Sequence, residues 1–358
     1  MADPGGTVAA GADAAAAKAD IKSEIARVLI DAMERGDTPW QRPWDARAMR
    51  PSNATSLRPY RGVNRLILSL AAADVGKRLG VGEIDSRWLT YRQAAERGWQ
   101  VRKGERGAGI VKLVEFGGPG ENAAGEPEPG FDGGDARGGK RFALRRYVVF
   151  NAAQVDGMPA PEAVAEPDMA PAERAEAIMD ALKERTDLTI IHGGDRACYV
   201  PSTDTVMLPN RSAFRALPGT AEKDLAASKA FAYFSVAMHE CCHSTMDAKR
   251  CDRAQAYAKR FGDEAYALEE LTAQIGSAVL AAETGVPMSQ DPAHLQAHAS
   301  YLRVWIKAIE SDPMAIFTAA KNADRISDFM LCLQRDWTAA RSNADWISKL
   351  DPIAALTR

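Results

Sequence analysis

Apolar residues recur at helical spacing over residues 19–34 (Ile21, Ile25, Val28, Leu29, Met33), and Arg35-Gly36-Asp37 supplies a stop signal. Residues 65–79, apolar on one side, predict a second helix, and residues 87–95 read as a short strand or turn running into a helix. Residues 110–114 alternate, and a second strand pattern covers 142–150. Between them lie residues 117–140, crowded with Gly, Pro, Glu and Asp. That stretch is too polar to pack and is expected to be a flexible insertion. After a Pro/Ala/Glu-rich linker at 158–171, a helix is expected over 172–184 and short strands near 188–192, 197–200 and 205–208. The last two strands form a hairpin that turns at 202–204. Helical patterns then dominate, through 228–245, 266–276, 292–310 and 313–334. The fold class expected is α+β: a small mixed domain over 19–157, then a mainly helical domain with a short sheet over 172–335. Residues 1–18 read as a disordered N-terminus and 336–358 as a C-terminal tail.

The helical pattern ending at Thr245 carries His239-Glu240-Cys241-Cys242-His243, an H-E-x-x-H sequence. On a helix, positions i and i+4 lie one above the other, so His239 and His243 can offer ring nitrogens to one Zn²⁺. Glu240 is then placed to take a proton from a water activated at the ion. Mn²⁺ or another divalent ion suits the same donors. The plain alternative is a pair of helix-surface histidines beside a glutamate. A third ligand is sought in Tyr266–Gly276, where Leu268, Thr272, Ile275 and Val279 share one face. Glu270 points almost directly away from that face and Glu269 sits at its margin. A helix sandwiched between the core and the metal helix therefore turns Glu270 toward the ion, with Glu269 in reserve. Two His and one Glu look like the gluzincin arrangement. Tyr266, one turn before Glu270, reads as a core tyrosine ahead of an oxyanion group.

Cys241 and Cys242 lie between the histidines, on positions that project away from the ion, and read as small core side chains. The five cysteines are odd in number, lack a zinc-ribbon spacing and suit a reducing cytosol. No apolar run of about 18 residues exists, so no membrane partner is expected. The Ala/Gly-rich start has no basic residue before Lys18 and does not resemble a secretory signal, so a cytoplasmic location is expected.

Charge separates the halves. From Trp40 to Leu113 there are 15 Lys/Arg against six acidic residues, within a chain of net charge −3. A basic module joined to an acidic remainder suggests a polyanion partner for the first half. Aromatic residues are interleaved with that charge: Trp40, Arg42 and Trp44 in a Pro-braced segment; Tyr60 and Arg61; Arg87, Trp88, Tyr91 and Arg92; Trp99, Arg102 and Lys103. Single-stranded nucleic acid is held by such a combination of basic groove and stacking faces. The competing reading makes the tryptophans core and the charges a solvated rim.

Several ordered motifs carry a family resemblance. T-P-W-Q-R-P-W, P-S-N, Y-R-G-V-N (which adds Asn64), R-W-L-T-Y-R-Q-A, V-R-K-G-E-R-G and R-Y-V-V-F-N-A-A-Q-V-D-G resemble the N-terminal single-stranded-DNA-binding domain of ArdC-type antirestriction proteins. Y-V-P-S-T-D-T-V-M-L-P, H-E-C-C-H-S-T, L-E-E-L-T-A-Q and H-A-S-Y-L-R-V-W-I are similar to the zincin-like metallopeptidase domain fused to it. The resemblance covers roughly residues 20–330. It implies a DNA-binding protein of a mobile element that protects incoming single-stranded DNA from host restriction. It also implies His239, His243 and Glu270 as metal ligands, Glu240 as general acid/base, and a host restriction-system protein as peptide substrate. An alternative from another class is a binding protein in which the ion is only structural. Two positions depart from the family pattern: Gln274 where a Glu is usual, and Met246 where a Gly is usual. An acid at 274 would orient a metal histidine; Gln274 accepts a hydrogen bond but brings no charge. Similar N-terminal domains occur on plasmid primases, but no acidic metal cluster of a primase is seen.

Overall fold

The computed structural model describes residues 20–38, 49–81, 84–116, 141–161, 169–216, 219–253, 263–287 and 292–350. The insertion expected at 117–140, and Trp40, Arg42 and Trp44, lie outside the described residues.

The first helix, α1 (Ile21–Glu34), buries Ile25, Leu29, Ile30 and Met33 on one face. After the two-residue strand β1 (Ser52–Asn53), α2 (Val63–Leu79) ends at Gly80. Gly80 has φ +65°, a left-handed conformation that costs glycine no Cβ clash. Strand β2 (Arg87–Leu89) leads into α3 (Tyr91–Glu96), started by a capping box in which Gln93 N donates to Thr90 Oγ1 and Thr90 N donates to Gln93 Oε1. Then come β3 (Gln100–Val101), β4 (Ala108–Phe116), β5 (Arg141–Asn151) and β6 (Val155–Asp156). The main sheet runs β1–β2–β5–β4, with β1 parallel to β2 and the other pairs antiparallel. The two strands flanking 117–140 pair from Ala108↔Val149 to Phe116↔Arg141.

The second half opens with α4 (Pro171–Thr186) and strands β7 (Thr189–His192), β8 (Cys198–Val200) and β9 (Thr205–Leu208). Their order is β7–β9–β8, so Val206 lies on the central strand and Tyr199 on an edge strand. Four long helices complete it: α5 (Leu225–Ser244), α6 (Asp263–Thr284), α7 (Pro292–Ser311) and α8 (Met314–Leu350). The class is α+β, as the periodicity predicts. Among the described residues no helix is long and apolar enough to cross a membrane.

Two features depart from the sequence reading. First, α8 continues past residue 334 to Leu350, because no Gly or Pro interrupts residues 314–351. Trp337 on this extension packs against Ala177 and Ala181 of α4, and its Nε1 donates to Glu184 at 2.8 Å. Second, the halves share a core. Ile25, Leu29 and Met33 of α1 and Leu66 and Ile67 of α2 belong to one buried cluster with Leu271 and Ile275 of α6, Trp305 of α7 and Ile316 of α8.

A polar clamp joins the same surfaces. The Asp324 carboxylate on α8 accepts from Gly62 N at the start of α2 and from Arg65 Nη2 at 3.1 Å, with Arg61 Nε at 3.6 Å. Arg61 also donates to Asp328, and Arg65 Nη1 to Met49 O at 2.7 Å.

Candidate metal centre and nucleic-acid face

The metal-site side chains come from two neighbouring helices. His239 and His243 share the buried face of α5, and Glu270 reaches them from α6. Leu268, Thr272, Ile275 and Val279 are all buried on the opposite side, which leaves Glu270 aimed at α5. The two Nε2 atoms are 3.1 Å apart; Glu270 Oε2 is 3.4 Å from His239 Nε2, and Oε1 is 3.5 Å from His243 Nε2. Tetrahedral donors about 2.0–2.1 Å from an ion stand roughly 3.3 Å from one another. The three separations therefore suit a small divalent ion, and the cluster can hold one. Among the described residues it is the one group of three or more His, Cys, Asp or Glu side chains close enough to do so.

Electrostatics tie the triangle together. Burial alone lowers the pKa of His243, but hydrogen bonding first to Glu269 and then to Glu270 outweighs it and raises it to about 10. Burial raises Glu270, yet His239 and then His243 hold it well below the usual carboxylate range. Glu240, next along α5 from His239, is buried. Cys241 and Cys242 are buried away from the triangle; burial pushes the Cys241 thiol up to about 12 and Cys242 well above its ordinary value. Both stay protonated and inert, as their positions predict.

The layer behind the ligands differs from expectation. Glu269, held in reserve as a ligand, lies 3.1 Å from His243 Nδ1 and receives Arg253 Nη1 at 2.7 Å and Nη2 at 3.0 Å. The carboxylate behind a histidine thus comes from position 269, while Gln274 is buried and its Oε1 meets no donor among the described residues. Tyr266 is not a core residue: it is 57% exposed, with Tyr301 Oη donating to its hydroxyl at 3.4 Å. Its phenol pKa is raised by burial, then by Tyr301 and the nearby Glu270.

In the first half the structure sorts the candidate DNA-binding residues. Trp88 is 1% exposed, packed among Leu68, Val75, Ile84 and Val149, and presents no free ring face. Asn64 staples β4, donating to Val111 O at 2.6 Å and accepting from Val111 N at 2.9 Å. Arg87 is bound to Asp85 (Nη2–Oδ2 2.6 Å) and to Pro159 O, and Arg61 belongs to the Asp324 clamp. Arg102 serves Glu105 and Asp156. Tyr60 is half-buried, its hydroxyl accepting from Asn53 Nδ2. Tyr91, Arg92 and Lys103 remain displayed: Tyr91 is 57% exposed, and Arg92 makes only a surface i,i+4 pair with Glu96.

Asn53 is the residue that sequence reasoning passed over. Its Oδ1 accepts from Thr55 N and Ser56 N, an Asx turn, and its Nδ2 reaches Gln93. Gln93 Nε2 in turn donates to Thr55 Oγ1, which fastens the loop to the start of α3 beside Tyr91 and Arg92. The loop displays Leu57, at φ +57° and 70% exposed, and exposed Arg58. The available signal was an Asn with Thr and Ser two and three residues further on, in a turn-rich segment.

Comparison with known proteins agrees with this architecture. A family described as "N-terminal domain of anti-restriction factor ArdC" matches residues 19–150, and one described as "Zincin-like metallopeptidase" matches residues 173–322. Protein y4eC of Sinorhizobium fredii (strain NBRC 101917 / NGR234), itself uncharacterised, is 37% identical over 320 residues, spanning 88% of this chain and 93% of that protein. A DNA primase TraC of Escherichia coli is 35% identical over 329 residues, but the chain spans only 20% of its length. Among solved structures, the antirestriction ArdC protein from plasmid R388 superposes with a TM-score of 0.64 at 28% identity, covering 89% of this chain and 99% of that one. Its Mn(II)-bound form gives 0.63 at 29%, covering 88% and 98%.

Proposed function

The chain belongs to the family of ArdC-type antirestriction proteins, with an ArdC N-terminal domain fused to a zincin-like metallopeptidase domain, and from that membership we propose that it binds single-stranded DNA with its first half, holds a divalent ion in its second, and protects incoming DNA from host restriction. The observation that carries the reading is the His239–His243–Glu270 triangle, set in a fold shared with an antirestriction protein that has been crystallised with Mn(II). The function supported with fewest assumptions makes the ion a brace between α5 and α6. Primase activity is not carried over, since the chain spans only a small part of TraC.

For the DNA half, the displayed residues are the ones to test. Tyr91→Ala is expected to weaken binding to a labelled single strand by about 1–3 kcal/mol, the loss of one stacked base, with no change in thermal stability. Trp88→Ala is expected to lower stability by about 3–5 kcal/mol instead, as large core truncations do. Anisotropy and thermal melting measure the two. Unchanged DNA affinity in Tyr91→Ala would count against this face.

A second reading, turnover of a peptide, is favoured by one observation: Glu240 directly follows His239 on the helix that presents both histidines. A bound Zn²⁺ or Mn²⁺ would supply Lewis-acid activation of water and of the scissile carbonyl. Glu240 would take the proton of the attacking water and pass it to the leaving amine. Edge strand β8 can pair with an extended peptide, for which a host restriction-system protein is the candidate source. Glu240→Gln separates the readings. Protection lost with DNA and metal binding intact identifies turnover; protection fully retained leaves the ion as a brace.

A further inference from the structure

We propose that Glu269, itself held by Arg253, is a positioning residue that fixes which nitrogen of His243 faces the ion. The inference rests on the reading that His239, His243 and Glu270 hold a divalent ion. A neutral imidazole carries one proton, on either nitrogen, and only the unprotonated nitrogen can coordinate. Glu269 Oε1 stands 3.1 Å from His243 Nδ1, and an ionised carboxylate only accepts. When an ion displaces one proton from the ring, the proton retained is therefore the one on Nδ1, and the Nε2 lone pair is left to the triangle, 3.1 Å from His239 Nε2 and 3.5 Å from Glu270 Oε1.

Glu269 is itself fixed. The fully buried Arg253 grips both its oxygens, at 2.7 and 3.0 Å. The same guanidinium donates to Cys242 O at 2.9 Å and to Thr245 Oγ1 at 3.0 Å, on either side of His243 in the chain. A closed circuit results: His243 to Glu269 on α6, Glu269 to Arg253, and Arg253 back to the α5 backbone next to His243. An ordinary Arg–Glu brace would not need the imidazole as a third member. The circuit holds ring rotation and proton position together, and the carboxylate charge makes Nε2 a better donor.

The test uses the full-length chain, stripped with chelator and titrated with Zn²⁺ or Mn²⁺ against a competing dye. Glu269→Gln keeps the volume and loses the charge, and is expected to weaken ion affinity roughly 10–100-fold. Its DNA affinity should match wild type, and its melting in chelator should stay cooperative, at a lower temperature because the buried Arg253 loses its charged partner. Loaded with Co²⁺, the variant should show visible absorption bands displaced from those of wild type, which a brace remote from the ion would not move. Affinity within twofold of wild type and an unchanged Co²⁺ spectrum overturn the inference. For the case where Glu269→Gln does not fold, ¹⁵N-histidine spectra of wild type loaded with Zn²⁺ decide it. His243 should show a protonated Nδ1 and a coordinated Nε2, and coordination through Nδ1 overturns the proposal. A folded wild type that takes up no ion fails at the earlier step, and so removes the metal reading together with this one.

Discussion

Asp324→Ala is expected to destabilise the folded chain by about 3–5 kcal/mol, the cost of leaving a buried charge without its partner. The side chains of Asp324 and Arg65 are only 8% and 7% exposed, and their contact is 3.1 Å. Without the carboxylate, Arg65 keeps Met49 O as its one acceptor among the described residues, for a full positive charge. The N-terminus of α2 also loses its one anionic cap, since Gly62 has no side chain and sits in a left-handed conformation. Asp328→Ala is the control: its partner Arg61 is 45% exposed, and a surface pair contributes about 0–1 kcal/mol. Asp324→Asn should fall between, keeping an acceptor oxygen without charge. Urea unfolding measures all three. Because α1 and α2 share a buried cluster with α6, α7 and α8, the loss should appear as a shift of one transition. An Asp324→Ala shift no larger than that of Asp328→Ala would show that the clamp is not what joins the halves.

That clamp marks the boundary of what the sequence makes legible. Helical periodicity places His239 above His243 and sets Glu270 opposite Leu268, Thr272, Ile275 and Val279, because those relations lie within one or two turns of a single element. Pairing across the fold leaves no such trace. The Y-R-G-V-N segment reads as a basic-aromatic DNA motif, yet Arg61, like Arg65 just after the segment, turns to a carboxylate more than 250 residues away. In R-W-L-T-Y-R, Trp88 and Tyr91 are equally good stacking candidates on charge and spacing. The sheet decides between them: Trp88 on β2 faces α2 and the core, whereas Tyr91 starts a helix that faces solvent. Glu269 and Glu270 show the same limit at closer range. Periodicity separates them by about 100° of helix, but Arg253 comes from the segment after α5, and its pairing with Glu269 depends on tertiary packing.

His239→Ala and His243→Ala are each expected to abolish ion-dependent stabilisation of the chain. An ion at 100 times its dissociation constant should stabilise the wild type by about 2.7 kcal/mol, seen as a concentration-dependent rise in melting temperature. Each substitution removes one corner of the triangle and leaves a His–Glu pair too small to close a site of three protein donors. The two variants should nonetheless differ in chelator. Each substitution takes one imidazole from Glu270, but His239→Ala leaves the His243–Glu269–Arg253 circuit whole, whereas His243→Ala also takes the imidazole from Glu269. The second variant should therefore melt at the lower temperature, although Arg253 still satisfies Glu269 and keeps the loss short of unfolding. Melting curves across a Zn²⁺ or Mn²⁺ series read both effects in one experiment. A rise that survived both substitutions would put the ion elsewhere on the chain, and the triangle would then be a buried His–Glu network that joins α5 to α6 with no ion to hold.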